Sequence, residues 1–236
     1  MKNLLQRWFM PKPRLTVQQM ERLAAWLALP EVGMKGSFDR SRCVIVDVET
    51  TGLNLMTDTL ISIGAVALIN GKIVLGDSFY VVIQQRESSR KENILVHGIS
   101  GTAQREGVEP VEALLAFLEF TGKSPLVAFH VTFDETMIRR AIRQYFGIVF
   151  KHQWLDLAYV MPALYPPLAY SHRVLDDWIG LFDIRIEARH HALADALATA
   201  QLLQVAQAKA HREKGIVDIA GLRNLEREQR WVNGVS

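Results

Sequence analysis

The stretch Cys-Val-Ile-Val-Asp-Val-Glu, residues 43–49, places two acids inside a run of β-branched residues. Such a run predicts a buried central strand. Because side chains alternate along a strand, Asp47 and Glu49 point to the same face. Two carboxylates buried together repel each other and lose solvation, and a divalent cation would offset both costs. The alternative is a strand end at which both acids reach water.

The neighbouring segments predict the rest of the sheet and its helices. Asn70-Gly71 is typical of a hairpin turn, so the apolar segments on its two sides predict antiparallel strands. Later segments have helical spacing, and two of them end at a glycine. This order predicts an α/β domain with a mixed central sheet. The predicted strands cover 43–49, 60–69, 72–83 and 125–130, and the predicted helices 110–122, 133–147, 154–165, 174–182 and 192–210.

The chain divides into a basic N-terminal extension with one helix (1–40), a main domain (41–210) and a charged C-terminal tail (211–236). Thr16 is the predicted N-cap of the extension's helix, which covers 16–29. Residues 1–42 contain eight Lys and Arg against three acids, although the net charge of the 236-residue chain is only +2. The extension therefore either helps to hold a polyanion or is a solvated surface segment.

Composition excludes several classes of protein. Hydrophobic residues make up 49% and charged residues 22% of the chain, which is typical of globular rather than disordered proteins. No apolar run reaches the ~18–20 residues of a membrane helix, and the N-terminus lacks the apolar region of a signal peptide. A single cysteine, Cys43, cannot form an intramolecular disulfide. We therefore expect a cytoplasmic protein with no membrane partner.

Two further acids stand at predicted helix starts. Asp134 follows a short strand and lies in the first turn of a helix, where capping and the helix dipole favour an acid without any catalytic role. Asp195 lies early in a helix rich in alanine and leucine, just after His190 and His191. The alternative there is a surface pair between His191 and Asp195, four residues apart.

Taken together, these motifs resemble the DEDDh (DnaQ-like) exonucleases, the family of the polymerase III epsilon proofreading subunit, RNase T and oligoribonuclease. The resemblance covers about residues 43–205 and implies a ribonuclease H-like fold with a mixed five-stranded sheet flanked by helices. It rests on the order of the acids and on four short segments: D-x-E-T-T-G-L at 47–53, H-G-I-S at 97–100, F-D at 133–134 and H-x-A-L-x-D-A at 190–196.

The resemblance also implies a mechanism. Two divalent cations, Mg²⁺ or Mn²⁺, would be held by Asp47, Glu49, Asp134 and Asp195. The family's general base lies five residues before the last aspartate, which is His190. A sister subfamily instead has tyrosine four residues before it, where this chain has His191. An imidazole has an unperturbed pKa of about 6.5 and can accept a proton near neutral pH.

Substrate contacts implied by the resemblance lie mainly after the Asp-x-Glu pair. Leu53 would wedge against the 3′ base. Position 131 is Val, where the family often has Asn, which bears on substrate contacts there. The candidate substrate-binding residues are Thr50, Thr51, Leu53, His97 and Phe133.

The function implied is 3′→5′ exonuclease activity that releases nucleoside monophosphates from single-stranded nucleic acid ends, with DNA favoured over RNA. A second candidate is a proofreading subunit bound to a polymerase or repair partner. Only about 25 residues follow the main domain, whereas such subunits usually continue into a polymerase-binding tail, so a free-standing enzyme is favoured. A third candidate is an RNA exonuclease of the RNase T or oligoribonuclease type, and a fourth is a non-catalytic nucleic-acid-binding module.

Overall fold

A five-stranded mixed sheet forms the centre of the molecule in the computed structural model, which describes residues 14–234. The strand order is β3-β2-β1-β4-β5. β1 is antiparallel to β2 and β2 to β3, whereas β1, β4 and β5 run parallel. The predicted antiparallel pairing of the two strands around Asn70-Gly71 is confirmed. The strands are β1 (Arg42–Thr50), β2 (Leu60–Ile69), β3 (Lys72–Val82), β4 (Leu126–Ala128) and β5 (Trp154–Asp156).

Helices cover both faces of this sheet. In the described part of the chain they are α1 (Val17–Ala28), α2 (Lys91–His97), α3 (Gly101–Arg105), α4 (Pro110–Thr121), α5 (Val131–Phe146), α6 (Leu157–Leu164), α7 (Leu175–Leu181), α8 (Ala192–Lys214) and α9 (Ile219–Gly234). The 3₁₀ turns Phe38–Arg40 and Pro166–Leu168 complete them. Within the described residues, no helix combines the length and the apolarity that a membrane crossing needs.

The two faces of β1 enter two different apolar clusters. Val44, Val46 and Val48 belong to the cluster that includes buried residues of α1, α4 and α5. Cys43 and Ile45 belong to the cluster that includes α6, α7, α8 and α9. Because strand side chains alternate, the next two positions of this second row are Asp47 and Glu49. The row changes from apolar to acidic as it approaches the C-terminal end of β1.

The first three residues of one predicted helix form a strand instead. The sequence predicts one helix over 154–165, whereas residues 154–156 form β5 and the helix begins at Leu157. Periodicity cannot distinguish a three-residue buried strand from the first turn of a buried helix. Pairing with β4 decides the conformation, since Leu126 lies opposite Trp154 and Ala128 opposite Asp156. The short helices α2 and α3 were not predicted either.

The described part of the N-terminal extension packs against the domain. Thr16 caps α1 in a reciprocal capping box with Gln19, as predicted. Arg22 of α1 pairs with Glu112 and Glu119 of α4 at 2.6 and 2.7 Å. Residues 1–13 of the predicted basic extension, with Lys2, Arg7 and Lys12, lie outside the described residues.

The predicted charged tail, 211–236, contains helical structure that the sequence analysis did not predict. α8 continues to Lys214, and α9 places Ile219 and Leu222 in the apolar cluster. A three-residue spacing of apolar side chains within a polar segment is enough to dock a helix when a complementary surface is present. The boundaries of the three predicted units stay a prediction.

Candidate metal centre

Three acids converge at the C-terminal end of β1. A carboxylate oxygen from each of Asp47, Glu49 and Asp195 lies within 4.8 Å of one from each of the others. Asp47 and Glu49 are partly buried on β1, and Asp195 is buried in the first turn of α8. The predicted grouping of the strand acids with Asp195 is present in the fold. Oxygen ligands at this spacing suit a hard divalent cation.

Gly64 allows α8 to reach these strand acids. It lies opposite Asp47 in the β1–β2 register. A Cβ atom at Gly64 would lie 2.2 Å from main-chain atoms of Ala192 and Leu193, so the start of α8 rests directly on the backbone of β2. The sequence interpretation missed this role. A glycine inside an otherwise apolar strand was the available signal.

We expect Gly64→Ala to displace the start of α8 and with it Asp195. Overpacking of this kind costs about 1–3 kcal/mol, or roughly 2–12 °C in melting temperature for a chain of this size. The nuclease activity implied by the family resemblance should fall at least ~10-fold, because a displacement of catalytic groups by ~1 Å can lower the rate ~100-fold. Gly76→Ala is the matched control, because nothing lies within 4 Å of its Cβ position. Equal melting temperatures and rates for the two variants would contradict this role.

Asp134 stands beside the three-acid group. It is buried in the first turn of α5, near the backbone of Val48, which lies between the two strand acids. Burial raises its pKa well above the ordinary value, and the negative charges of Asp156 and Glu49 add to this rise. A cap exposed to solvent would show neither the burial nor the raised pKa, so the structure places Asp134 beside the three acids, and its role as a metal ligand stays a prediction.

The charges at this site are poorly compensated. Burial raises the pKa of Asp47, and repulsion from Asp134, Asp195 and Glu49 raises it further. Burial and Asp195 raise the pKa of Glu49 to about 8. Arg189 counteracts both rises. Four acids around one arginine leave net negative charge in a partly desolvated site, which fits one or two divalent cations.

Without metal, the protein should lose stability as pH rises. A carboxyl whose pKa is higher in the folded state favours folding fully below its unfolded pKa, and this contribution disappears as pH rises through the folded pKa. For Glu49 the window runs from about 4.5 to about 8. Melting curves in EDTA should therefore show Glu49→Gln gaining several degrees over the wild-type protein between pH 5 and pH 8. A gap that stays constant with pH would contradict the proposed repulsion.

The two histidines before α8 have different surroundings. His190 is exposed, has a left-handed backbone (φ 58°), and donates its backbone N–H to Asp195 at 3.0 Å. His191 stacks on Tyr80 of β3, with ring centroids 4.6 Å apart. Asp195 accepts hydrogen bonds from His190 and Arg189. Asp195 therefore pairs with these two residues, and not with His191 as in the alternative interpretation of the sequence.

Arg189 and Tyr80 were not found from the sequence. Arg189 forms an ion pair with Asp195 and a second one with Asp176 of α7, in which Nε and Oδ1 are 2.5 Å apart. Tyr80 lies opposite Gly64 in the β2–β3 register and has its pKa raised by burial and by the charge of Glu49. Both residues reach the site through tertiary contacts that no local motif encodes.

The loop after β1 presents the predicted substrate residues. Leu53 is 86% exposed, as a contact to a substrate base would require. The hydroxyl of Thr50 donates to the carbonyl of Gly52 at 2.7 Å, and that of Thr51 donates to Asp58 at 2.9 Å. The two threonines therefore shape the loop, and their contacts to substrate stay predictions.

His97 and Phe133 are engaged within the protein. His97 is buried, and its Nδ1 accepts the backbone N–H of Ile99 at 3.0 Å, so the proton is on Nε2, 3.3 Å from Ser89 Oγ. Burial also lowers the pKa of His97. Phe133 is partly buried and packs against the apolar cluster. A sugar contact by His97 would require the loss of one of these hydrogen bonds, and both substrate roles stay predictions.

Comparison with known proteins places this chain in a family. The model of the family described as Exonuclease (RNase_T) matches residues 44–203. A PolC-type DNA polymerase III of Thermotoga petrophila is 30% identical over 191 residues, which are 80% of this chain and 14% of that protein. The PolC-type enzyme of Listeria innocua is 33% identical over 165 residues, 70% of this chain and 11% of that protein. The chain thus spans about an eighth of the length of these relatives.

Solved structures of similar fold include two nucleases. E. coli exonuclease I bound to single-stranded DNA, in its zinc form, has a TM-score of 0.63 at 20% identity and covers 73% of this chain and 42% of its own. Exonuclease X bound to duplex DNA with a 5′ overhang has a TM-score of 0.59 at 17% identity. The match covers 78% of this chain and 99% of exonuclease X. At these identities the likeness concerns the fold, and it confirms the predicted ribonuclease H-like architecture.

Proposed function

Because the chain belongs to the DEDDh (DnaQ-like) exonuclease family, we propose that it is a metal-dependent 3′→5′ exonuclease that releases nucleoside monophosphates from single-stranded DNA ends. One observation carries the proposal. Asp47, Glu49 and Asp195 meet within 4.8 Å, with Asp134 beside them and His190 exposed nearby. A nuclease fold that had lost catalysis would have no reason to retain this repulsive group of acids.

The residues divide the chemistry between them. Bound divalent cations lower the pKa of a water molecule and stabilise the leaving oxygen of a phosphodiester. Asp47, Glu49 and Asp195 would hold the ion on the water side, and Asp134 together with Asp47 would hold the second ion. His190 takes the proton from the attacking water. Its backbone N–H bond to Asp195 keeps the imidazole close to that ligand.

The relatives favour DNA as the substrate. The curated relatives are DNA polymerases of the PolC type, and the two structural neighbours were solved with DNA. The same relatives keep a second candidate open, a proofreading nuclease that acts with a polymerase. Co-purification with a polymerase, and faster removal of mismatched than of paired 3′ ends in its presence, would favour this second candidate.

A single assay tests the proposal. The full chain is incubated with 5′-labelled DNA and RNA, as single strands and as duplexes, in Mn²⁺ and then in EDTA. We expect a ladder of labelled products that shortens from the 3′ end, with single-stranded DNA cut fastest and no cleavage in EDTA. Immediate release of labelled mononucleotide would indicate cleavage from the 5′ end and would contradict the proposed polarity. Faster cleavage of RNA would indicate an enzyme of the RNase T or oligoribonuclease type.

A further inference from the structure

Asp156, outside the acidic site, is a buried carboxylate at the end of β5. Only 1% of its surface is exposed. Oδ1 accepts the backbone N–H groups of His130 and Ala158, each at 3.0 Å. Oδ2 accepts the backbone N–H of Val131 at 3.1 Å and Nη2 of Arg230 at 2.8 Å. Four donors use the full accepting capacity of a carboxylate, so this side chain has one orientation.

Two of these bonds fix the start of α5. His130 is the N-cap residue of α5 and has a left-handed backbone, with φ 70° and ψ 54°. For a residue other than glycine this conformation is unfavourable and needs support from its surroundings. Asp156 supplies that support through the N–H groups of His130 and Val131. Asp134 lies in the helical turn that begins there, so the position of its carboxylate depends on this anchoring.

The remaining partner of Asp156 comes from α9. Arg230 approaches Asp156 with Nη2 and donates from Nε to Glu226 at 2.8 Å. Glu226 in turn accepts the backbone N–H of Asp156 at 3.1 Å. The guanidinium of Arg230 also lies 3.9 Å above the ring of Tyr159 in α6. These contacts form a closed set of hydrogen bonds that ties α9 to the end of β5.

We propose that Arg230 is a positioning residue for the metal centre: it holds Asp156, Asp156 holds the first turn of α5, and that turn places Asp134. Arg230 and Glu226 lie beyond residues 44–203, the part that matches the family model. The proposal rests on the proposed function, and it makes α9 part of the catalytic unit. Without a cationic partner, a buried carboxylate turns toward water or takes up a proton. Either change in Asp156 weakens its hydrogen bonds to the backbone N–H groups at the start of α5.

The test compares three variants of the full chain. Arg230→Met keeps the aliphatic stem and removes the charge, and Arg230→Lys keeps the charge without the paired donors. Arg227→Met is the matched control, because Arg227 is an exposed arginine on the same helix. Calorimetric Mn²⁺ titration measures metal binding directly, and steady-state hydrolysis separates kcat from KM. Melting curves show whether each variant is folded.

For Arg230→Met we expect the affinity for the second Mn²⁺ ion, which Asp134 and Asp47 would hold, to fall about 10-fold or more, as for other residues that orient metal ligands. At fixed Mn²⁺, kcat falls by a similar factor, while KM for the oligonucleotide stays within about twofold. Arg230→Lys recovers part of both losses, and Arg227→Met behaves as wild type. If Arg230→Met does not fold, Glu226→Gln replaces it, with a smaller loss in the same direction.

A lower melting temperature with unchanged Mn²⁺ affinity and unchanged kcat would overturn the proposal, since Arg230 would then only stabilise the fold. So would equal losses in Arg230→Met and Arg227→Met. The Mn²⁺ titration is informative even if the wild-type protein cleaves no oligonucleotide. In that case the proposed function fails, whereas the positioning role is still decided by metal binding.

Discussion

Asp47→Asn is expected to abolish hydrolysis and, at the same time, to stabilise the metal-free protein. Asp47 lies between the two groups of ligands: its oxygens are within 4.8 Å of those of Glu49 and Asp195, and among nearby charges Asp134 contributes most to its raised pKa. An amide supplies one neutral oxygen in place of a charged carboxylate. Metal ions contribute several kcal/mol to phosphodiester cleavage, so a loss of about 4 kcal/mol lowers kcat about 10³-fold.

The stability gain follows from the same geometry. Burial and three neighbouring acids oppose the ionised form of Asp47. Removing that charge should contribute about 1–2 kcal/mol near neutral pH, or roughly 2–8 °C in melting temperature. The gain should shrink as pH falls, because a carboxyl with a raised pKa takes up a proton more readily than an ordinary one. Mg²⁺ or Mn²⁺ should raise the melting temperature of the wild-type protein more than that of the variant.

Asp183→Asn is the control for Asp47→Asn, because the side chain of Asp183 is 85% exposed on the surface. It makes the same chemical change and should leave both the rate and the melting temperature near wild type. If the Asp47→Asn protein kept more than a tenth of the wild-type rate, Asp47 would not be a metal ligand required for hydrolysis. A variant that melts below wild type in EDTA would show that the acids do not repel each other as the structure indicates.

Replacing His190 should lower hydrolysis far more than replacing His191. A positioned general base contributes about 10²–10⁴-fold to the rate, and His190 is exposed beside Asp195. His190→Asn is the best variant, because Asn tolerates the left-handed backbone at this position. His190→Ala should show a similar loss in rate with some added instability. Metal affinity should change little in either variant.

His191→Ala is the matched comparison, because it removes an imidazole one residue away. His191 stacks on Tyr80, so its loss should lower stability slightly and the rate by less than ~10-fold. Rates should be measured on a labelled single strand at equal metal occupancy. Similar losses for the two histidines would exclude the assignment of His190 as the base. A larger loss of rate for His191→Ala than for His190→Asn would indicate that His191 is the general base.

Much of the site could be predicted because its chemistry conflicts with its local setting. Acids in an apolar strand are costly, so Asp47 and Glu49 are conspicuous in the sequence. The spacing of His190 and Asp195 is similarly local. Taken by itself, Asp134 has an ordinary explanation as a helix cap, and its place at the site depended on the family resemblance. The structure supports that place by burying its carboxylate close to Asp47 and Glu49.

Residues that act across the fold could not be predicted in this way. Gly64 matters because α8 crosses β2 above it, and Arg189 because it reaches Asp176 as well as Asp195. β5 was missed because three residues carry no period, and its conformation follows from pairing with β4. Local propensity contains no information on such contacts, since they depend on how separate elements pack against one another.

Hydrophobic period and the placement of charge were sufficient to predict the mixed sheet and to single out Asp47 and Glu49, whereas the assignment of Asp134, Asp195 and His190 needed the family resemblance. Both are local properties, because burial of apolar side chains has to match the repeat of each helix or strand. The three-dimensional fold decided which acids meet and how closely α8 approaches β2. It also joined Arg230 to Asp156, 74 residues apart in the chain. The physical reason is that a buried carboxylate takes its donors from whichever segments the packing brings to it.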